Sequence, residues 1–133
     1  MTYWLQELAP DRIKEKPRSS GITMMLDRCL GLGGTEDLIH MAGEYLDQIK
    51  LSFGTSILVS ESFLRSKIDL VIDNGIDIYP GGTLMEVAYQ QQNDSKYINW
   101  VKNCGFSMIE ISNGIYSVSR KKRDESIKRS KDI

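Results

Sequence analysis

Two kinds of hydrophobic pattern alternate along this chain. Short runs that are apolar at nearly every position close on a polar residue and a glycine-bearing turn. Longer stretches follow in which apolar residues recur every three or four positions. The first pattern suits a strand covered on both faces, and the second an amphipathic helix. The strand runs are residues 22–27, 48–54, 76–81 and 108–114. Between them, Thr35 is read as an N-cap with Glu36 and Asp37 in the first turn, and Leu38, Ala42, Tyr45 and Leu46 carry the helix to about Asp47. Ser60 caps a second helix with a stripe of Leu64, Ile68, Val71 and Ile72, stopped at Asn74-Gly75. Thr83 and Glu86 form a capping box for a third, which breaks near Asn93-Asp94. Ser95 caps its continuation through Tyr97, Ile98, Val101 and Cys104 to Gly105. The tail from Ser119 reads as a charged helix with a thin stripe of Val118 and Ile127.

Strand–helix alternation with short links predicts right-handed βαβ units and a parallel sheet. Two architectures fit the pattern: a small doubly wound sheet, or part of a (β/α)8 barrel. Both bind ligands at the carboxyl ends of their strands. No G-x-G-x-x-G follows the first strand, so a dinucleotide fold has no specific support. Residues 1–20 read as irregular, with Pro10 and Pro17 as breakers and residues 1–8 as a short helix or strap that packs Trp4 and Leu5.

Counting back from the strand ends divides each strand into two faces. One face is expected to carry Thr23, Met25 and Asp27; Lys50, Ser52 and Gly54; Asp77, Tyr79 and Gly81; and Met108, Glu110 and Ser112. The other carries Ile22, Met24 and Leu26; Ile49, Leu51 and Phe53; Ile76 and Ile78; and Ile109 and Ile111, and is expected to pack under helices. Lys50 and Glu110 stand where a core residue is expected, and an unpaired buried charge costs several kcal/mol. With Asp27 on the same face, two carboxylates and a lysine can hold Mg²⁺ through oxygen ligands while the ammonium meets an anionic substrate. The bland alternative is a Lys50–Glu110 ion pair that only fixes packing.

Composition narrows the class. The 133 residues, 41% hydrophobic and 26% charged with a net charge of −1, describe one globular domain with no global attraction to nucleic acid or an anionic membrane. The two cysteines make no disulfide framework, and Cys104 reads as a core residue. With no apolar run of signal-peptide or membrane-spanning length, a cytoplasmic protein is expected. His40 reads as a helix-surface residue and Glu86 as a cap only. The methionines Met24, Met25 and Met108 read as filling. The basic cluster Arg120-Lys121-Lys122-Arg123 with Lys128, Arg129 and Lys131 reads as a solvated face.

Several motifs in order carry a resemblance. Lys16-Pro17-Arg18, Gly21 through Asp27, Ile49-Lys50-Leu51 with Gly54-Thr55-Ser56, Pro80-Gly81-Gly82-Thr83-Leu84 and Ile109 through Gly114 together resemble the phosphosulfolactate synthase family. The sequence departs from that family in two places: Cys29 stands where glycine is common, and Ile115-Tyr116 follows Gly114 where threonine is usual. The resemblance implies an α/β fold of parallel βα repeats, the N-terminal half of a TIM-type (β/α)8 barrel. Residues 1–133 would be a single incomplete barrel domain, with 1–20 an irregular segment and 119–133 a charged terminal helix. It also implies a Mg²⁺-dependent carbon–sulfur lyase that adds sulfite to phosphoenolpyruvate, giving (2R)-phospho-3-sulfolactate for coenzyme M or sulfolactate biosynthesis. On this expectation Lys50 and Glu110 are catalytic and Asp27 and Glu110 hold the metal. Arg18, Ser52, Tyr79, Gly81, Gly82 and Ser112 contact substrate, Arg18 with the Gly81/Gly82 turn meeting phosphate. Half a barrel is expected to self-associate or to join a separate C-terminal half, and to be inactive or incomplete alone. The rival expectations are a catalytically silent barrel remnant serving as an interaction module, and another phosphoenolpyruvate or sugar-phosphate lyase.

Overall fold

A computed structural model of the chain describes Leu8 and residues 15–133. The expected strap at residues 1–8, with Trp4 and Leu5, lies outside the described residues apart from Leu8, which is exposed. The fold is α/β, built on a parallel three-stranded sheet in the order β1 (Met24–Asp27), β2 (Gln48–Leu51), β3 (Asp77–Pro80). Helices α1 (Leu32–Ala42), α2 (Thr55–Leu58), α3 (Glu61–Asp73), α4 (Gly82–Gln90), α5 (Asp94–Cys104) and α6 (Arg120–Arg129) connect and follow the strands. The core lies between one sheet face and the helices. Ile49, Leu51 and Ile78 meet Leu64, Ile68 and Val71 of α3, Met85 of α4 and Ile98 and Val101 of α5.

Most helix signals act where the sequence places them. Ser60 accepts the Phe63 N–H at the head of α3, and Ser119 accepts the Lys122 N–H at the head of α6, each at 3.3 Å. Gly75 follows α3 with φ +66°, a left-handed conformation that costs a glycine nothing. Three caps differ. Thr35 sits buried inside α1, which starts after Gly31, and its hydroxyl donates to the Gly31 carbonyl at 3.0 Å. α5 starts after Asn93 rather than Ser95, with no side-chain cap. α1 ends at Ala42, and a 3₁₀ turn (Gly43–Tyr45) covers the distance to Leu46. The short helix α2, folded into the Gly54-Thr55-Ser56 turn, has no apolar period long enough to announce it.

The larger differences concern the strands. Residues 108–114 form no strand among the described residues. They run beside β3 and α4 and are held there by side chains: Ser107 Oγ accepts the Ile78 N–H at 3.0 Å, and Glu110 accepts the Gly82 N–H at 2.7 Å. The first strand is also phased oppositely to expectation. Met25 pairs with Ile49 and Asp27 with Leu51, so Met25 and Asp27 belong to the helix-covered face. Met24 and Leu26 share the Lys50 face, where they stay 46% and 43% exposed, and Ile22, just ahead of the strand, is 45% exposed. The apolar set Ile22, Met24 and Leu26 thus does not pack under helices. Phe53, past the end of β2, is exposed as well. An all-apolar strand carries no alternation from which to read its phase.

At the amino end of the sheet, Asp47 gathers the segment ahead of β1. Its carboxylate accepts the Thr23 N–H at 2.8 Å and pairs with Arg18 at 2.7 Å. Burial alone would raise this carboxyl, but the Thr23 N–H and Arg18 outweigh it and hold it below the usual carboxylate range. Lys16 donates to the Gly43 carbonyl at 2.7 Å and to the Leu46 carbonyl.

Candidate active site

The carboxyl ends of the strands carry two ion pairs on opposite faces of the sheet. The first joins Lys50 of β2 to Glu110. Lys50 Nζ lies 2.9 Å from Oε1 and 2.6 Å from Oε2, and the side chains stay 25% and 33% exposed. The same carboxylate accepts the Gly82 N–H at the head of α4, where the backbone dipoles favour an anion. Tyr79 pairs in register with Lys50, shares its face and is buried. Its hydroxyl is pushed up by burial and by the Glu110 charge, with Lys50 opposing.

This approach depends on a bare backbone at residue 82. A Cβ there would stand 2.6 Å from Ser112 Cβ and 2.8 Å from Glu110 Cγ, closer than real carbon atoms approach. Gly82 therefore lets residues 110–112 lie against the head of α4.

The second ion pair is buried. Asp27, 1% exposed, pairs with Lys67 of α3, 3% exposed. Asp27 also accepts the Leu30 N–H at 2.8 Å, and Lys67 donates to the Leu30 carbonyl at 2.6 Å. A cavity of about 70 Å³ beside them is lined mostly by apolar groups, among them Leu51, Phe63 and Leu64.

These placements correct two expected roles. Asp27 is committed to Lys67 on the covered face and does not share a surface with Glu110. Arg18 lies at the amino end of the sheet, bound to Asp47 and to the Glu44 carbonyl, away from the strand ends where Gly81 and Gly82 stand. Lys50, Tyr79, Gly81, Gly82, Glu110 and Ser112 do gather at one end. Ser52 follows β2 there, its N–H donating to the Asp27 carbonyl at 2.8 Å.

Glu86 is the residue the sequence reading undervalued. It is no cap: α4 starts after Gly81 without a side-chain cap, and Glu86, 1% exposed, is taken up by residues 112–116 instead. Its carboxylate accepts the Ser112 hydroxyl and the N–H groups of Gly114 at 2.9 Å and of Ile115 and Tyr116 at 2.7 Å each. Burial alone would raise the carboxyl, but these donors outweigh it and bring its pKa down to about 2. The available signal was a lone charge inside the apolar run Leu84-Met85-Glu86-Val87-Ala88. Lys67 shows a similar signal, standing on the buried stripe of Leu64, Ile68 and Val71.

The described residues do not bring the two expected Mg²⁺ ligands, Asp27 and Glu110, to one place. Among the described residues no three histidine, cysteine or acidic side chains converge. Glu110 already serves Lys50 and Gly82, Asp27 faces the other way, and Glu86 is filled by four donors. The arrangement instead offers an ammonium and a helix head on one carboxylate, with Tyr79 on the same sheet face as the lysine. Such a set can bind an anion and stabilise negative charge.

The comparisons with known proteins decide the family. The profile of (2R)-phospho-3-sulfolactate synthase (ComA) matches residues 11–133. The chain belongs to the phosphosulfolactate synthase family. It is 38% identical over 112 residues to the phosphosulfolactate synthase of Methanocaldococcus jannaschii, covering 84% of this chain and 45% of that protein. The corresponding protein of Methanothermobacter thermautotrophicus is 34% identical over 116 residues, covering 87% of this chain and 45% of the relative. That of Bacillus subtilis is 32% identical over 108 residues, covering 81% and 42%. The chain thus spans less than half the length of the curated relatives it matches. In the described residues no helix is long and apolar enough to cross a membrane.

Proposed function

We propose that this chain supplies the Lys50–Glu110 part of a phosphosulfolactate synthase site, in which sulfite adds to phosphoenolpyruvate to give (2R)-phospho-3-sulfolactate. The observation that carries the reading is the convergence of Lys50, the Gly82 N–H and Tyr79 around one anionic position at the strand ends, in a chain of this family. In the reaction the sulfur lone pair forms a bond to the substrate methylene carbon. The double-bond electrons move onto the carbon bearing the carboxylate, charge collects on that carboxylate, and the same carbon then takes a proton. Lys50 neutralises the developing charge, and the head of α4 offers a dipole to an anionic group. Glu110 holds Lys50 in place beside the head of α4. A divalent metal would supply further charge stabilisation but needs ligands beyond those described here.

The architecture we propose is the N-terminal half of a (β/α)8 barrel. Exposed Met24 and Leu26 beside Lys50 support it, because in a closed barrel that face is interior. Such a face calls for a covering partner, either a second copy or a polypeptide carrying the remaining strands. A monodisperse, cooperatively unfolding monomer in sedimentation and thermal melts would contradict this.

The activity is tested by incubating the protein, alone and with any polypeptide supplying the remaining strands, with phosphoenolpyruvate, sulfite and Mg²⁺. Phosphorus NMR then follows the phosphate ester. Conversion to phosphosulfolactate that is lost in Lys50→Ala supports the reading. Conversion undiminished in Lys50→Ala contradicts it.

A further inference from the structure

We infer that Glu86 is a positioning residue for the Lys50–Glu110 pair: it holds residues 112–116 on α4 and so fixes Glu110 against the head of that helix. The inference deepens the proposed function, since it assigns Glu86 to the same site. Four observations carry it.

Residues 108–114 have no strand ladder, so Glu110 is not placed by a sheet. Ile109 and Ile111, on either side of Glu110, rest on the core, and from Ser112 onward the segment is anchored by the Glu86 carboxylate, which takes one hydroxyl and three backbone N–H groups. The three N–H groups are consecutive, from Gly114 to Tyr116, and converge on one carboxylate as on a bound anion. Ser112, the first of the four donors, lies two residues past Glu110, so an anchor at Ser112 constrains the Glu110 backbone directly.

The second contact surface is steric. Glu110 and Ser112 both lie where a Cβ on Gly82 would stand, so the segment is pressed on the first turn of the helix that carries Glu86 one turn later. Glu86 and Gly82 are four residues apart on α4 and fall on one face. Glu86 holds the far end of the segment and Gly82 receives the near end. The loop itself stays outside the core: Asn113, Gly114, Ile115 and Tyr116 are exposed, so apolar burial does not order it. A carboxylate 1% exposed with four donors is a costly device for ordering a surface loop, unless the loop carries something that must stay in place.

The test reads the Gly82 amide, which donates to Glu110, by nitrogen–proton NMR of the full chain. Glu110→Gln supplies the reference position of that amide when its acceptor is weakened. In Glu86→Gln the Gly114, Ile115 and Tyr116 amides are expected to move upfield. The Gly82 amide is expected to move by more than half of its change in Glu110→Gln, while the Ile49 and Leu51 amides stay put. Glu86→Asp, which keeps a carboxylate, is expected to return Gly82 part of the way. Ser112→Ala keeps the buried carboxylate and removes one donor, and gives the same reading if Glu86→Gln does not fold. A Gly82 amide that stays at its wild-type position while Gly114–Tyr116 move would overturn the inference. This readout needs no turnover, so a failed sulfite-addition assay contradicts the proposed function without touching it.

Discussion

Two lysine–carboxylate pairs stand at the same end of one sheet and behave as opposites. Asp27–Lys67 lies on the covered face, nearly free of solvent, tied to a backbone N–H and a carbonyl of Leu30. Lys50–Glu110 lies on the other face, a quarter to a third exposed, at the head of a helix. The first pair is closed to ligands and links β1 to α3. The second is open enough to solvent for its lysine to meet an incoming anion. Charge type does not separate them; the face of the strand does, and one residue of register decides the face.

The largest expected effect falls on the closed pair. Asp27→Ala leaves the Lys67 ammonium buried without its carboxylate and should cost about 3–5 kcal/mol in urea unfolding. The paired change Asp27→Leu with Lys67→Met should cost much less than the single change. Equal losses would mean that this pair is not the closed unit described here.

Gly82→Ala comes next. Its Cβ would collide with Ser112 and Glu110, and overpacking of this kind costs about 1–3 kcal/mol. Loss of the Lys50–Glu110 contact should accompany it, seen as a changed environment of the Lys50 ε-methylene in NMR. Stability lost without that change would detach Gly82 from the site.

Glu86 adds a pH signature. Its carboxyl drops from 4.5 to about 2 on folding, so the stability it contributes is complete above pH 4.5 and is lost as pH falls through about 2. Melts of wild type and Glu86→Gln between pH 2 and 6 should converge toward the acid end. A constant gap would show that the carboxylate is not the stabilising form.

Lys50→Ala should change stability least, by under about 1 kcal/mol, because the pair is part-exposed. Its effect belongs to anion binding. A loss as large as that of Asp27→Ala would erase the difference between the two pairs.

The sequence made much of this legible. The βα alternation, the stops at Gly75 and Gly105, the cap at Ser60, the helix start at Ser119 and the shared face of Lys50 and Tyr79 follow from local pattern, whereas Glu110, expected on a fourth strand, reaches Lys50 from a segment that forms none. The face of β1 did not follow from local pattern, because Ile22 through Leu26 are apolar at every position but Thr23 and only pairing with β2 sets their phase. The role of Glu86 was hidden because a threonine three residues earlier matches a common cap, while its real partners lie 26 to 30 residues further on. The same holds for Arg18: its partner Asp47 lies 29 residues on, and the pair stands at the amino end of the sheet, not at the strand ends that carry Lys50 and Gly82.

Titrating phosphoenolpyruvate into isotope-labelled protein, with Lys50→Ala as the matched control, tests the central claim most directly. The account predicts shifts of the Gly82, Lys50 and Tyr79 amides that vanish in Lys50→Ala. Shifts centred on Asp27, Leu30 and Lys67, or shifts that persist in Lys50→Ala, would contradict it.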